Sequence, residues 1–158
     1  MILPGDILAW RVDPKAPVID RLIGWGESKI GQVAPKDAQY YHVAFIAANP
    51  KYFYSSQPPY INKFLLPDIM PFNVETYRTK MTLQPEGLAN VFQYAESRRG
   101  RLYPFLGVLT LGWLQGNLEF CSQLVEDAFA HYPLLLCPDI RFSPPDGIVN
   151  SLLLERVQ

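Results

Sequence analysis

The chain has 158 residues, of which 49% are hydrophobic and 18% charged, with a formal net charge of -1 at pH 7. That length and apolar content suit one domain with its own core, and the near-zero charge, with Arg98, Arg99 and Arg101 as its one dense basic group, argues against nucleic acid as a partner. Two cysteines are too few for a secreted disulfide scaffold; with two histidines and no zinc-type spacing, the chain is expected to hold no metal and no cofactor.

In chain order, Pro4-Gly5-Asp6 is a turn signal that opens a strand from Ile7 to Val12, stopped by Asp13-Pro14. Apolar residues from Val18 to Ile30 suit a short helix interrupted by Gly24 and Gly26, followed by a polar loop from Gly31 to Gln39. The run Tyr40 to Ala48, rich in β-branched and aromatic residues, reads as a strand. Asn49-Pro50 turns the chain, and Lys51 to Ser56 returns as a hairpin partner. Four prolines between Gln57 and Pro71 predict a long loop. Phe72 to Arg78 reads as a further strand. A helix then opens within Thr82-Leu83-Gln84-Pro85-Glu86, with Thr82 as its cap and Gly100 just past its end. Pro104 to Gln115 reads as an apolar helix, too short to cross a bilayer, and Cys121 to Ala130 as an amphipathic one. No repeat or low-complexity segment is visible.

The chemistry concentrates on Cys121. In the first turn of a helix a cysteine faces unpaired backbone N–H groups and the positive end of the helix dipole, and both favour thiolate over thiol. A lone buried cysteine is more often inert packing, so the residue gains meaning from a base. His42, near the start of a buried strand, can supply one. His131 follows ten residues after Cys121 and points away from its helix face; capping of the last carbonyls accounts for it. Cys137 follows an apolar run and reads as packing. The start of the chain lacks a basic segment followed by a long apolar core, so the expected location is the cytoplasm, with any cell-wall role needing another delivery route.

Taken in order, Gly5-Asp6-Ile7-Leu8, His42-Val43-Ala44-Phe45-Ile46, Gly100-Arg101-Leu102-Tyr103, Phe120-Cys121-Ser122-Gln123-Leu124-Val125 and Ser143-Pro144-Pro145-Asp146-Gly147-Ile148 cover nearly the whole chain. This arrangement resembles the circularly permuted, papain-like branch of the NlpC-type cell-wall peptidase superfamily, to which YiiX-like and lecithin:retinol acyltransferase-like proteins belong. The resemblance implies an α+β, circularly permuted papain-like fold over residues 1–158, a small antiparallel sheet packed against helices. It implies Cys121 as nucleophile and His42 as general base, with an acyl-cysteine intermediate and an oxyanion held in part by the backbone N–H of Cys121. Asp6, Tyr103 and Ser122 are candidate substrate or oxyanion contacts.

Two departures accompany the resemblance. Relatives commonly carry an acidic residue on the strand after the histidine, where this chain has Tyr52-Phe53-Tyr54-Ser55-Ser56-Gln57; Tyr54, Ser55 or Gln57 would have to orient the imidazole instead. Relatives also commonly carry an acidic residue after the tyrosine, where this chain has Pro104. The expected reaction is hydrolysis of an amide in a cell-wall peptide, with peptidoglycan fragments as partners. The alternatives are a lipid acyltransferase or thioesterase and a binding protein that has lost catalysis.

Overall fold

The computed structural model describes residues 1–11, 39–69, 73–103, 120–136 and 144–157. The helices expected over Val18 to Ile30 and Pro104 to Gln115, the loop up to residue 38, and Cys137 lie outside them. Six strands form one antiparallel sheet: β1 (Ile7–Arg11), β2 (Tyr40–Ile46), β3 (Tyr52–Gln57), β4 (Tyr60–Leu65), β5 (Val74–Thr79) and β6 (Leu154–Arg156), in the spatial order β4-β3-β2-β1-β5-β6. Among the described residues the α-helices are α1 (Pro85–Arg98), α2 (Cys121–Ala130) and the short α3 (Pro145–Val149). The fold is therefore α+β.

Side chains alternate across each strand, and here both sides of the central strands are apolar. Ile7, Ala9, Val43, Phe45 and Tyr54 face one side and join Leu124, Val125, Ala128 and Phe129 of α2 and Val91 and Ala95 of α1 in the larger core. Phe129 meets Phe45 edge-on, ring centres 5.7 Å apart. Leu8, Trp10, Ala44, Ile46 and Phe53 face the other side and form a smaller buried layer, flanked by Tyr41, Phe64, Leu66 and Val74. Central strands buried on both faces need near-continuous apolar runs, which is why β2 could be read directly.

At the entry to β1, Gly5 adopts φ +86°, and a Cβ there would lie 2.8 Å from Cδ2 of Leu88. The backbone angle calls for glycine, whereas the Leu88 methyl could shift aside.

Three expectations need correction. The stretch from Gln57 to Pro71 is not one long loop: Pro58 and Pro59 form a tight turn between paired Gln57 and Tyr60, and β4 then runs to Leu65. Pro58 and Pro59 fall at the turn and Pro67 after the strand, where no ladder N–H is required, so the number of prolines was misleading and the positions of these three were not. Thr82 does not cap α1; Gln84 occupies the cap position without a side-chain hydrogen bond, and Pro85 takes the first helical position, where a missing N–H costs nothing. The strand expected from Phe72 begins at Val74. Gly100 does lie past the end of α1, with φ +82°. Neither α3 nor β6 was anticipated.

Candidate active site

His42 is the third residue of β2, paired across the sheet with Trp10 of β1. Alternation therefore turns its ring toward the smaller layer, where it meets the indole edge-on with ring centres 5.0 Å apart and planes at 70°. On the other flank β2 pairs with β3 through Phe45↔Tyr54 and Ile46↔Phe53. Counting along that register sets Ser55 one diagonal step from His42, within reach of a cross-strand contact. His42 Nε2 and Ser55 Oγ are 2.6 Å apart, with Ser55 fully buried. Burial lowers the imidazole pKa from 6.5 to about 4. The ring is thus neutral at physiological pH.

The structure consequently separates the three candidates for the orienting group. Ser55 stands at the imidazole. Tyr54 faces the opposite side and donates to Glu96 Oε1 of α1 at 2.6 Å; burial, reinforced by that carboxylate, raises its phenol pKa. Gln57 sits half-buried at the hairpin, paired with Tyr60.

Cys121 is the first residue of α2 and fully buried. Phe120 holds the cap position in extended conformation, offering no side-chain acceptor, and no acidic residue occupies the first turn. The positive end of the helix dipole therefore meets no carboxylate from its own first turn. Cys121 itself is counted in the larger core, on the α2 side of the sheet, whereas alternation places the His42 ring on the Trp10 side. Ser122 follows it, also buried. Tyr103 packs edge-on against Phe120, ring centres 6.3 Å apart, and its backbone N–H donates to Pro59 O at 2.9 Å. This contact sets Tyr103 next to the residue that precedes the thiol.

Asp6 lies elsewhere. Its carboxylate accepts from the Leu3 N–H at 2.8 Å and from Arg78 through Nε and Nη2, each at 2.7 Å. Those bonds close the turn before β1 and tie it to β5. A surface cavity of about 470 Å³ opens beside Asp6 and Arg78, but neither His42 nor Cys121 lines it. His131 ends α2, with Nδ1 2.8 Å from Asp127 O and its ring 4.4 Å from that of Tyr94, the capping arrangement expected for it.

Asp146 and Trp10 shape this region and were not singled out from sequence as doing so. Asp146, in the first turn of α3, accepts from the backbone N–H of Gln39 at 2.9 Å and of Tyr40 at 3.3 Å, and so pins the start of β2 two residues before His42. Burial raises its pKa against those hydrogen bonds. The only signal was an aspartate behind two prolines; the partner, over a hundred positions away, was not readable.

Among the described residues no helix is long and apolar enough to cross a membrane, and no group of three or more His, Cys, Asp or Glu side chains is placed to hold a metal ion. No family model and no curated protein matches the chain. A solved structure does: yiiX of Escherichia coli O157:H7, a metalloprotein, with a TM-score of 0.67 over 99% of this chain and 97% of that one, at 12% identity. At that identity the likeness is one of fold, and the chain has a YiiX-like α+β fold.

Proposed function

We propose that the chain is a cysteine hydrolase of the circularly permuted papain-like, NlpC-type branch, with Cys121 as nucleophile, His42 as base and Ser55 as the group that orients the base. The observation that carries this reading is the 2.6 Å contact between His42 Nε2 and Ser55 Oγ. With Nε2–H donating to the hydroxyl, the lone pair sits on Nδ1 in a neutral ring, the form required to take a thiol proton. Sγ of Cys121 then attacks the substrate carbonyl as Nδ1 accepts its proton. The carbonyl oxygen becomes an oxyanion facing the backbone N–H at the start of α2. Collapse breaks the C–N bond, and the imidazolium returns the proton to the leaving amine. Water, deprotonated by Nδ1, hydrolyses the acyl-cysteine and restores the thiol.

A hydroxyl in place of a carboxylate stabilises the imidazolium less, and a desolvated ring resists protonation. The proton transfer therefore depends on the thiolate that it creates. The substrate we favour is an amide in a cell-wall peptide, with peptidoglycan fragments as partners, because that is the commoner activity of the superfamily the motifs resemble. We also place Tyr103 and Ser122 at the substrate side, since both adjoin the start of α2.

A second reading, a binding protein of the same fold without turnover, is favoured by one observation: the His42 ring and the Cys121 side chain belong to opposite layers of the sheet. Catalysis requires Sγ and Nδ1 to meet at the His42 end of β2. The pH dependence of Cys121 alkylation by iodoacetamide decides between them, with the His42→Ala variant in parallel and Cys137 as internal reference. A Cys121 that alkylates faster than Cys137 at neutral pH, and slows in His42→Ala, establishes the pair; turnover of peptidoglycan fragments against lipid esters then separates amidase from acyltransferase. An unreactive Cys121, or one indifferent to His42, leaves the binding reading.

A further inference from the structure

We propose that Trp10 is the positioning residue of the candidate base: its indole fixes the plane of the His42 ring and walls the ring off from water. This rests on the hydrolase reading for its functional meaning, and on geometry for its substance. Trp10 and His42 are direct cross-strand partners, so β1–β2 pairing itself sets indole against imidazole. The rings meet at 5.0 Å and 70°, and Trp10 also packs on Phe53 at 5.8 Å, itself stacked on Phe64 at 5.6 Å. Three aromatic rings, from β1, β3 and β4, thus form a contiguous cluster on the face of the sheet that carries the imidazole. Ser55 grips one nitrogen of the ring and Trp10 blocks its edge, leaving little freedom to swing.

Among the described residues, those packed near the imidazole in this layer are apolar or neutral; Asp6 and Arg78, which alternation sets on the same face, pair with each other at the opposite end of β1 and β5. From β1 come Leu8 and Trp10, from β2 Tyr41, Ala44 and Ile46, from β3 Phe53 and Ser55, from β4 Phe64, and from β5 Val74. Arg11 and Glu75, the nearest charged residues along β1 and β5, pair with each other beside Tyr40 and Tyr77, which belong to the other face. The shift of His42 accordingly has desolvation as its cause. Trp10, as the large ring in contact with the imidazole, is the residue whose removal would admit water.

The test is an NMR titration of the histidine ring signals in the full chain, which has only His42 and His131 to assign. The wild type should show a His42 midpoint near 4, and Trp10→Leu should move it toward 6.5, with Trp10→Phe between. Leu66→Ala, in the same layer but beyond β4 at the far end of the hairpin, should leave the midpoint in place. Should Trp10→Leu not fold, the ordering of wild type and Trp10→Phe carries the test. A wild-type midpoint near 6.5, an unchanged midpoint in the Trp10 variants, or an equal change in Leu66→Ala overturns the proposal. None of these outcomes depends on turnover: an unreactive Cys121 with a low His42 midpoint sinks the hydrolase reading and leaves the role of Trp10 standing, and the reverse pattern does the opposite.

Discussion

Glu75 and His42 are both buried polar side chains on one sheet, and they are treated in opposite ways. Glu75 is saturated: Oε2 accepts from Tyr40 at 2.6 Å and Tyr77 at 2.8 Å, while Oε1 pairs with Arg11 at 2.9 Å and Arg156 at 3.0 Å. Burial pushes this carboxyl up, and the hydrogen bonds and cations more than offset it, so its pKa is lowered. His42 has a hydroxyl on one nitrogen and aromatic carbon around it. The first environment holds a charge permanently and consumes every lone pair in doing so. The second keeps a group neutral and, among the described residues, gives its other nitrogen no hydrogen-bond partner, which fits the proposed proton acceptor better than a structural strut.

The largest effect should come from breaking the saturated site. Glu75→Ala strands two tyrosines and two arginines and should cost about 3–5 kcal/mol in chemical denaturation, nearer the low end because both guanidiniums keep solvent. Loss as small as that of an exposed residue would erase the contrast drawn above. Next is the pH dependence of His42. Its folded pKa, about 4, lies below the unfolded 6.5, so the unfolded chain binds more protons between them. Stability from this residue is complete above 6.5 and is lost as pH falls to about 4, roughly 3 kcal/mol in all. Stability measured against pH should slope through that window in the wild type and lose that component in His42→Leu, whereas the stability that Glu75 contributes is complete above the ordinary carboxylate range and is lost as pH falls through and below it. A smaller change is expected from Ser55→Ala, about 1–2 kcal/mol for an imidazole nitrogen left without its hydroxyl; in the alkylation assay the same variant should slow Cys121 more than it unfolds the chain. Smallest is Arg99→Ala, which removes an exposed pair with Glu96 and should change thermal stability by about 0.5 kcal/mol or less.

Local signals were legible and distant ones were not. The apolar run around His42, the turn at Asn49-Pro50 and the helix at Cys121 each announce themselves within a dozen residues, and the structure has β2, β3 and α2 there. The choice among Tyr54, Ser55 and Gln57 depended on the β2–β3 register, which alternation alone leaves open by one residue. The contact of Trp10 with His42 depends on β1 pairing with β2 across a stretch of 28 residues, 12–39, and no local pattern encodes that. Asp146 is the extreme case, since an acidic residue in a first turn looks the same whether it faces water or a strand. The proline-rich stretch failed for a different reason: composition was read where position mattered.

The bonds from Asp146 to Gln39 and Tyr40 span 107 and 106 positions of chain, and Arg156 reaches Glu75 from still further along. Ring closure over such spans is slow to form and depends on everything between. On a ribosome, the strand that carries His42 would emerge long before its clasp does. Chains truncated ahead of residue 144 should therefore retain the apolar strands yet expose the Gln39 and Tyr40 amides to exchange, so that the late segment acts as a latch on the site rather than as a tail beside it.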